Sequence, residues 1–200
     1  MKYKAHYKDK DALKVLSDGF TFLLSERHPH GFDKNEIVFA CIGTDRCIGD
    51  AVGPLVGTYL QELGYTVVGT IQEPMHALNI DKRLKELREN YPKHTVIGID
   101  ACLGDSYSIG EIQIRDYPIH PGKGVGKNLP DIGHMSIIGI VDSSDSSELF
   151  TNRNIRLDLI MKISKVICDT IHTSFNLNKK DEPEKKIEET TEVVVEEGTC

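Results

Sequence analysis

Carboxylates stand at three places where the sequence predicts that parallel strands give way to loops. The loop after the first predicted strand contains Asp45 and Asp50, the loop after the second contains Glu73, and the third strand ends at Asp100. In open parallel sheets, ligands bind beyond the carboxyl ends of the strands, where the connecting loops converge. We therefore expect these acids to face one cleft.

Asp50 and Asp100 form the pair with the clearest chemistry. Two ionised carboxylates about 4 Å apart repel by roughly 4 kcal/mol at an effective dielectric constant of 20. Such a pair either shares a proton, as the acid and base around an attacking water do, or holds a cation. Each acid also has a structural alternative, because Asp50 could cap the following helix and Asp100 could stabilise a turn at Ala101.

Weaker candidates surround this pair. In the segment EPMH, Glu73 and His76 are either turn residues or further polar groups of the same cleft, where His76 would act as a proton shuttle or a metal ligand. Asp45 could help to position the catalytic acids. The favoured interpretation requires no cofactor, whereas its alternative places a divalent metal on Asp50, Asp100 and His76.

A glycine-rich segment, HPGKGVGKNLP, occupies residues 120–130. It does not match a Walker phosphate loop, because three rather than four residues separate Gly122 from Gly126 and no Ser or Thr follows Lys127. The backbone N–H groups around Gly122, Gly124 and Gly126 could instead hold a peptide or an oxyanion. A plain surface loop is the alternative.

The elements that would position these residues alternate between strand and helix. Such alternation predicts an α/β fold, a three-layer sandwich with a mostly parallel twisted sheet and helices on both faces. A helix after Asp11, with an apolar stripe that includes Leu13, is expected to precede the first strand. The predicted strands are 36–42, 66–71, 95–99, 109–115 and 135–141, and the later helices are 51–63, 80–91 and 155–175.

Composition divides the chain into a domain over residues 1–177 and a tail over residues 178–200. The formal net charge is -7, and the tail is rich in Glu and Lys and lacks aromatic residues. Such a composition cannot bury enough apolar surface to offset the entropy of ordering. We therefore expect a disordered acidic tail.

Several classes of function are disfavoured. The chain has no basic stripe of the kind that binds nucleic acid, and no apolar run approaches the 18 or so residues of a membrane-spanning helix. No signal peptide is apparent, and the 5 cysteines form no CxxC pair, which favours a reducing cytoplasm. A protein or peptide partner is expected, and the oligomeric state is left open.

Four segments carry a resemblance to a known family. CIGTDRCIGDAVGPLVG at 41–57, EPMHALN at 73–79, IDACLG at 99–104 and PGKGVGKNLP at 121–130 resemble the sporulation protein YyaC family of spore-forming Firmicutes. The same segments are more distantly similar to the spore germination protease and to the HybD-type hydrogenase maturation endopeptidases. The resemblance implies a phosphorylase/hydrolase-like, HybD-like α/β fold.

The resemblance also implies a function. Asp50 matches the first catalytic aspartate of the germination protease and the first acidic metal ligand of the maturation enzymes, and Asp100 matches the second acid in both. A peptidase acting on a spore protein in the forespore or spore core is therefore expected. A non-catalytic sporulation or germination factor and a metal-dependent endopeptidase are the alternatives.

Overall fold

The computed structural model describes residues 1–121, 130–145 and 154–180. Within these parts of the chain, six strands form one sheet and four helices pack around it. The strands are β1 (Lys2–His6), β2 (Ile37–Cys41), β3 (Thr66–Val68), β4 (Thr95–Gly104), β5 (Glu111–Arg115) and β6 (Met135–Ser143). The helices are α1 (Ala12–Arg27), α2 (Val52–Glu62), α3 (Ile80–Asn90) and α4 (Leu157–Lys180).

The sheet has the strand order β1-β5-β6-β4-β2-β3. The pairs β2–β3, β2–β4 and β4–β6 are parallel, while β5 is antiparallel to both β1 and β6. The predicted mostly parallel sheet is thus confirmed. Strand β1 was not predicted from the basic N-terminus, where Lys2 and Lys4 alternate with Tyr3 and Ala5 in a pattern suited to a charged edge strand.

Both faces of the central strand β2 are buried, which is why its sequence IVFAC is a continuous apolar run. Phe39 and Cys41 belong to the core that also contains residues of α1, α2 and α4. Val38 and Ala40 point the opposite way and pack with α3. Helices therefore cover both faces of the sheet, and the predicted three-layer sandwich is confirmed.

The long helix α4 presents an apolar stripe to the core at helical spacing. Ile160, Ile163, Ile167 and Ile171 are each 0 % exposed. Burial of a side chain of this size contributes about 1.5–3 kcal/mol, so this stripe fixes α4 on the sheet. The helix continues to Lys180, three residues beyond the predicted domain boundary at residue 177.

Helix α1 follows its predicted stripe with two differences. Leu16, Phe20 and Leu24 are fully buried, but Leu13 is 42 % exposed and lies outside the stripe. Asp11 occupies the N-cap position without a capping hydrogen bond from its side chain. Packing rather than capping therefore holds this helix in place.

Within the described residues, no helix has both the length and the apolar composition needed to cross a membrane. The predicted acidic tail, apart from the backbone of its first three residues, lies outside the described residues, as do Gly122, Gly124 and Gly126.

Candidate active site

The candidate site lies where the direction of chain connection reverses. Strand β2 has β3 on one side and β4 on the other, and the connecting helices α2 and α3 lie on opposite faces of the sheet. A crevice forms at such a reversal, beyond the carboxyl ends of the two strands. Asp50 follows β2 and Asp100 belongs to β4, so both carboxyl-bearing segments lead to this crevice.

The prediction that a strand ends at Asp100 is wrong. The ladder between β2 and β4 ends at the pair Cys41–Ile99, but β4 continues beside β6, where Asp100 pairs with Ile138. The turn proposed at Ala101 is also absent, because Ala101 is a residue of β4. Asp100 is thus the first β4 residue beyond the ladder with β2.

Asp100 is half-buried in this position. Its Oδ1 accepts a hydrogen bond from the backbone N–H of Ala101 at 2.8 Å. Continued pairing with β6 holds the backbone on one side of Asp100. On the other side the contact with β2 ends at a hydrogen bond from the N–H of Ile42 to the carbonyl oxygen of Ile99, at 2.7 Å.

Asp50 ends a short 3-10 helix, Ile48–Asp50, which precedes α2. Ala51 occupies the N-cap position of α2, and no side chain caps that helix. The alternative interpretation of Asp50 as the cap of α2 is therefore wrong. The loop closes instead through the backbone, because the N–H of Thr44 donates to the carbonyl oxygen of Asp50 at 3.1 Å.

Two glycines permit this tight loop. Gly43 has φ +133°, and a β-carbon there would overlap the carbonyl oxygen of Asp50. A β-carbon at Gly53, in the first turn of α2, would overlap the carbonyl oxygen of Ile42. Both glycines therefore allow close backbone approach, and Gly43 in addition supplies a conformation that other residues rarely adopt.

The two carboxyls interact electrostatically. Burial raises the pKa of Asp50 to about 6, opposed in part by a hydrogen bond from the backbone of Thr44. Burial and the charge of Asp50 together raise the pKa of Asp100 well above its usual range. Because Asp50 ionises first, its charge acts on Asp100, whereas the still neutral Asp100 does not act on Asp50. Burial thus raises the pKa of both carboxyls, and the charge of its neighbour raises that of Asp100 in addition.

The EPMH segment has structural contacts. Glu73 is exposed and forms an ion pair with Arg83 of α3 at 3.3 Å. The ring Nδ1 of His76 accepts a hydrogen bond from the N–H of Leu78 at 3.2 Å, and the His76 N–H donates to Asn79 Oδ1 at 2.8 Å. These contacts support the interpretation of both residues as turn residues at the start of α3.

The metal alternative lacks a ligand set in the described residues. Among them, no group of three or more His, Cys, Asp or Glu side chains is placed to hold a metal ion. Asp50 and Asp100 would thus contribute two carboxylates without His76. Asp45 is exposed in the loop after β2.

Cys102 was not among the predicted site residues. It lies two residues after Asp100 on β4 and therefore on the same face of the sheet. Burial and the charge of Asp100 raise the pKa of its thiol, which shows that the two side chains interact. The period-2 spacing would have indicated this neighbour if the strand had been extended beyond Ile99.

A cavity of about 330 Å³ lies elsewhere, at the beginning of β4 and the end of α3. Its lining includes Leu87, Arg88, His94, Val96 and His134, and none of the predicted acids. This cavity is therefore separate from the candidate site.

Several known proteins are similar to this chain in sequence or in structure. The chain is 43% identical over 136 residues to the "Uncharacterized protein YyaC" of Bacillus subtilis (strain 168), a match that covers 66% of each protein. The [NiFe] hydrogenase maturation protease HycI of Thermococcus kodakarensis KOD1 matches in structure with a TM-score of 0.47 and 21% sequence identity, over 77% of this chain and 99% of that protein. The family model described as "Protein of unknown function (DUF1256)" matches residues 4–170, and the chain therefore belongs to the DUF1256 family.

Proposed function

We propose that this protein hydrolyses a peptide bond in a spore protein, with Asp50 as the general base and Asp100 as the general acid. The observation that carries the proposal is the electrostatic interaction between the two carboxyls, one with a pKa of about 6 and the other with a pKa raised further by burial and by its neighbour's charge. Titratable groups with different raised pKa values in one crevice are typical of acid–base catalysis.

The reaction requires one water molecule and no redox change. The Asp50 carboxylate removes a proton from the water as its oxygen attacks the peptide carbonyl carbon, and the protonated Asp100 donates its proton to the carbonyl oxygen. The intermediate then collapses, the C–N bond breaks, and the proton held by Asp50 passes to the leaving amine. A second proton returns from the intermediate's hydroxyl to Asp100 as the product carboxyl forms.

The substrate class comes from the resemblance to a sporulation family, which favours a spore protein and a location in the forespore or spore core. The strand register supports a polypeptide substrate, because β4 continues beside β6 after its ladder with β2 has ended at Ile99, and an extended peptide could add to the sheet at that edge.

The test is cleavage of a bacterial spore protein extract by the purified protein, with new N-termini identified by mass spectrometry. Wild type should produce defined new termini, and the Asp50→Asn and Asp100→Asn variants should not. Asp18→Asn, an exposed aspartate on α1 that pairs with Lys14, is the matched control and should cleave as wild type does.

The alternatives give different results in the same experiment. Cleavage that is lost after treatment with a chelator and restored by a divalent cation would favour the metal-dependent endopeptidase. The absence of cleavage by folded wild-type protein between pH 5 and pH 8, with and without added metal, would contradict the proposal. Capture of a spore protein that is unaffected by changing both acids would then favour a partner-binding factor.

A further inference from the structure

The face of the sheet that contains Asp100 extends beyond the area covered by α3. The apolar cluster under α3 includes residues of β2 and the start of β4, and no described residue of β1, β5 or β6 belongs to it. On β1 and β5 the same face is polar, whereas β6 places the buried Ile138 and Ile140 on it.

Strand register shows which side chains share this face. Asp100 pairs with Ile138, Ile138 with Gln113, and Gln113 with Lys4. Directly paired residues point to the same side of a sheet, so this row crosses from the proposed active site to the edge strand. The adjacent row contains Arg115, which pairs with Lys2.

Two cations therefore stand directly opposite each other near Asp100. Like charges in this position destabilise a sheet. Burial and the nearby Arg115 lower the pKa of Lys2, which indicates that this repulsion is felt. Among the described residues, neither Lys2 nor Arg115 has a carboxylate within ion-pair distance. The carboxylate of Glu111 pairs with Lys4 instead, at 2.9 Å. The four side chains of Lys2, Lys4, Glu111 and Arg115 have a formal charge of +2, from three cations and one anion.

The guanidinium of Arg115 is held in place without a counter-ion. Its Nε and one terminal nitrogen donate to the neutral Oε1 of Gln113 at 3.1 and 2.6 Å. Its Cζ atom lies 5.5 Å from the centroid of the Tyr117 ring. Gln113 itself is only 5 % exposed. A guanidinium fixed in this way keeps further N–H donors available for a planar anion such as a carboxylate.

Cys102 connects this cation pair to the proposed active site. Asp100 raises the pKa of the Cys102 thiol, after the larger effect of burial, while Arg115 and Lys2 lower it. The thiol thus responds to the charge of the acid and to the charges of both cations. Because neighbouring strands are about 4.8 Å apart, β5 lies about 10 Å and β1 about 14 Å from β4, a span that roughly three to five residues of extended peptide would cover.

We propose that Lys2 and Arg115 form a carboxylate-binding subsite that recognises an acidic segment of the polypeptide bound across Asp100. This inference rests on the proposed function for its orientation toward the active site. The binding itself does not require that the peptide be cleaved.

The carboxylate could come from a Glu or Asp side chain or from the C-terminus of a peptide, and three hexapeptides separate these sources. The first is hexaglutamate with blocked ends, the second is hexaserine with blocked ends, and the third is hexaserine with a free C-terminus. Each carries the same uncharged fluorophore at its N-terminus, and binding to the full chain is measured by fluorescence anisotropy at 50 mM and 300 mM salt.

Blocked hexaglutamate should bind wild type at least tenfold more tightly than blocked hexaserine, and the difference should shrink at 300 mM salt because the cations are accessible to solvent. Lys2→Gln and Arg115→Gln should each reduce hexaglutamate affinity at least fivefold. Lys85→Gln, on the exposed face of α3, is the matched loss of one positive charge and should have no effect. Tighter binding of free-ended than of blocked hexaserine would assign the site to a C-terminus.

Equal binding of all three peptides, or an equal loss in the Lys85→Gln and Arg115→Gln variants, would overturn the inference. An unchanged thermal midpoint for Arg115→Gln would show that its reduced binding is not caused by unfolding, and Arg115→Lys, which keeps the charge, should bind hexaglutamate more tightly than Arg115→Gln does. Binding that depends on Arg115 without any cleavage would leave this inference standing and contradict the proposed hydrolysis. Cleavage that is unchanged when Lys2 or Arg115 is replaced would support the proposed hydrolysis and contradict this inference.

Discussion

Asp50 follows the end of β2 and Asp100 lies in β4, and the charge of Asp50 reinforces the effect of burial in raising the pKa of the Asp100 carboxyl. For Asp50, burial is the main cause of the raised pKa. The two acids, with identical side chains, therefore differ in what raises their pKa values. The first prediction concerns this asymmetry.

Asp50→Asn should lower the pKa of Asp100, because the substitution removes a neighbouring negative charge, and the pKa should stay above its ordinary range because burial persists. Asp100→Asn should leave the pKa of Asp50 near 6. Carbon-detected NMR of 13C-labelled aspartate carboxyls, recorded across pH 3 to 10, measures both values. A large fall in the pKa of Asp50 would show that Asp100 ionises first.

The rate of peptide cleavage should follow a bell-shaped pH profile. Its rising limb should have a midpoint at about 6, where Asp50 becomes the carboxylate that acts as base, and its falling limb should mark the loss of the Asp100 proton. Replacement of either acid should lower the rate of peptide cleavage about 10²–10⁴-fold. The measurement is kcat/KM for a cleavage product identified from the spore extract. A flat profile between pH 5 and pH 8 would exclude Asp50 as the base.

Stability should also depend on the charge of Asp50. Its pKa in the folded protein is raised above the unfolded value of about 3.9, so the folded state binds more protons between pH 4 and pH 6. The free energy of unfolding should therefore fall as the pH rises through this range. Asp50→Asn should reduce this fall, leaving the part that belongs to Asp100, and should stabilise the protein by about 2–3 kcal/mol at pH 7, with little effect near pH 3.5.

Urea denaturation at pH 3.5, 5 and 7 measures this difference, with Asp18→Asn as the control because Asp18 is exposed on α1. Asp50→Ala should behave like Asp50→Asn, since Asp50 caps no helix. A loss of about 1 kcal/mol in Asp50→Ala, restored in Asp50→Asn, would instead indicate a capping role.

Much of the fold could be predicted because its signals are local. The continuous apolar run of β2 and the helical spacing of α4 each identify an element without reference to its neighbours. Strand β1 was missed because two of its five residues are lysines. Charged side chains are common on edge strands, so such a strand lacks the apolar pattern by which strands are predicted.

The site was predicted in part, and the errors have one physical cause. Both Asp50 and Asp100 were selected as residues following strands, but Asp100 lies inside β4, because pairing with β6 prolongs β4 past the end of β2. Such an extension depends on a strand 35 or more residues further along the chain. Cys102 was missed because the predicted strand stopped at Ile99. Arg115 was missed because its position, two strands from β4 in the row next to that of Asp100, exists only through the register of three strands.

The backbone around Asp50 gives the last prediction. Gly43→Ala should be strongly destabilising, because φ +133° disfavours any side chain and the added methyl group would overlap the Asp50 carbonyl oxygen. Gly31→Ala is the matched control, since Gly31 also has a positive φ, +94°, but has nothing within 4 Å of the added β-carbon.

Both variants should lose about 1 kcal/mol from backbone strain, and the Gly43 variant should lose a further 1–3 kcal/mol because the loop must shift. That shift would move Asp50 relative to Asp100, so cleavage should fall more than tenfold in Gly43→Ala at a temperature where the variant remains folded, and not in Gly31→Ala. Urea denaturation and cleavage of the spore extract give the two readouts. Equal stability losses in both variants would show that Gly43 serves only the conformation of its own residue and does not fix the position of the catalytic loop.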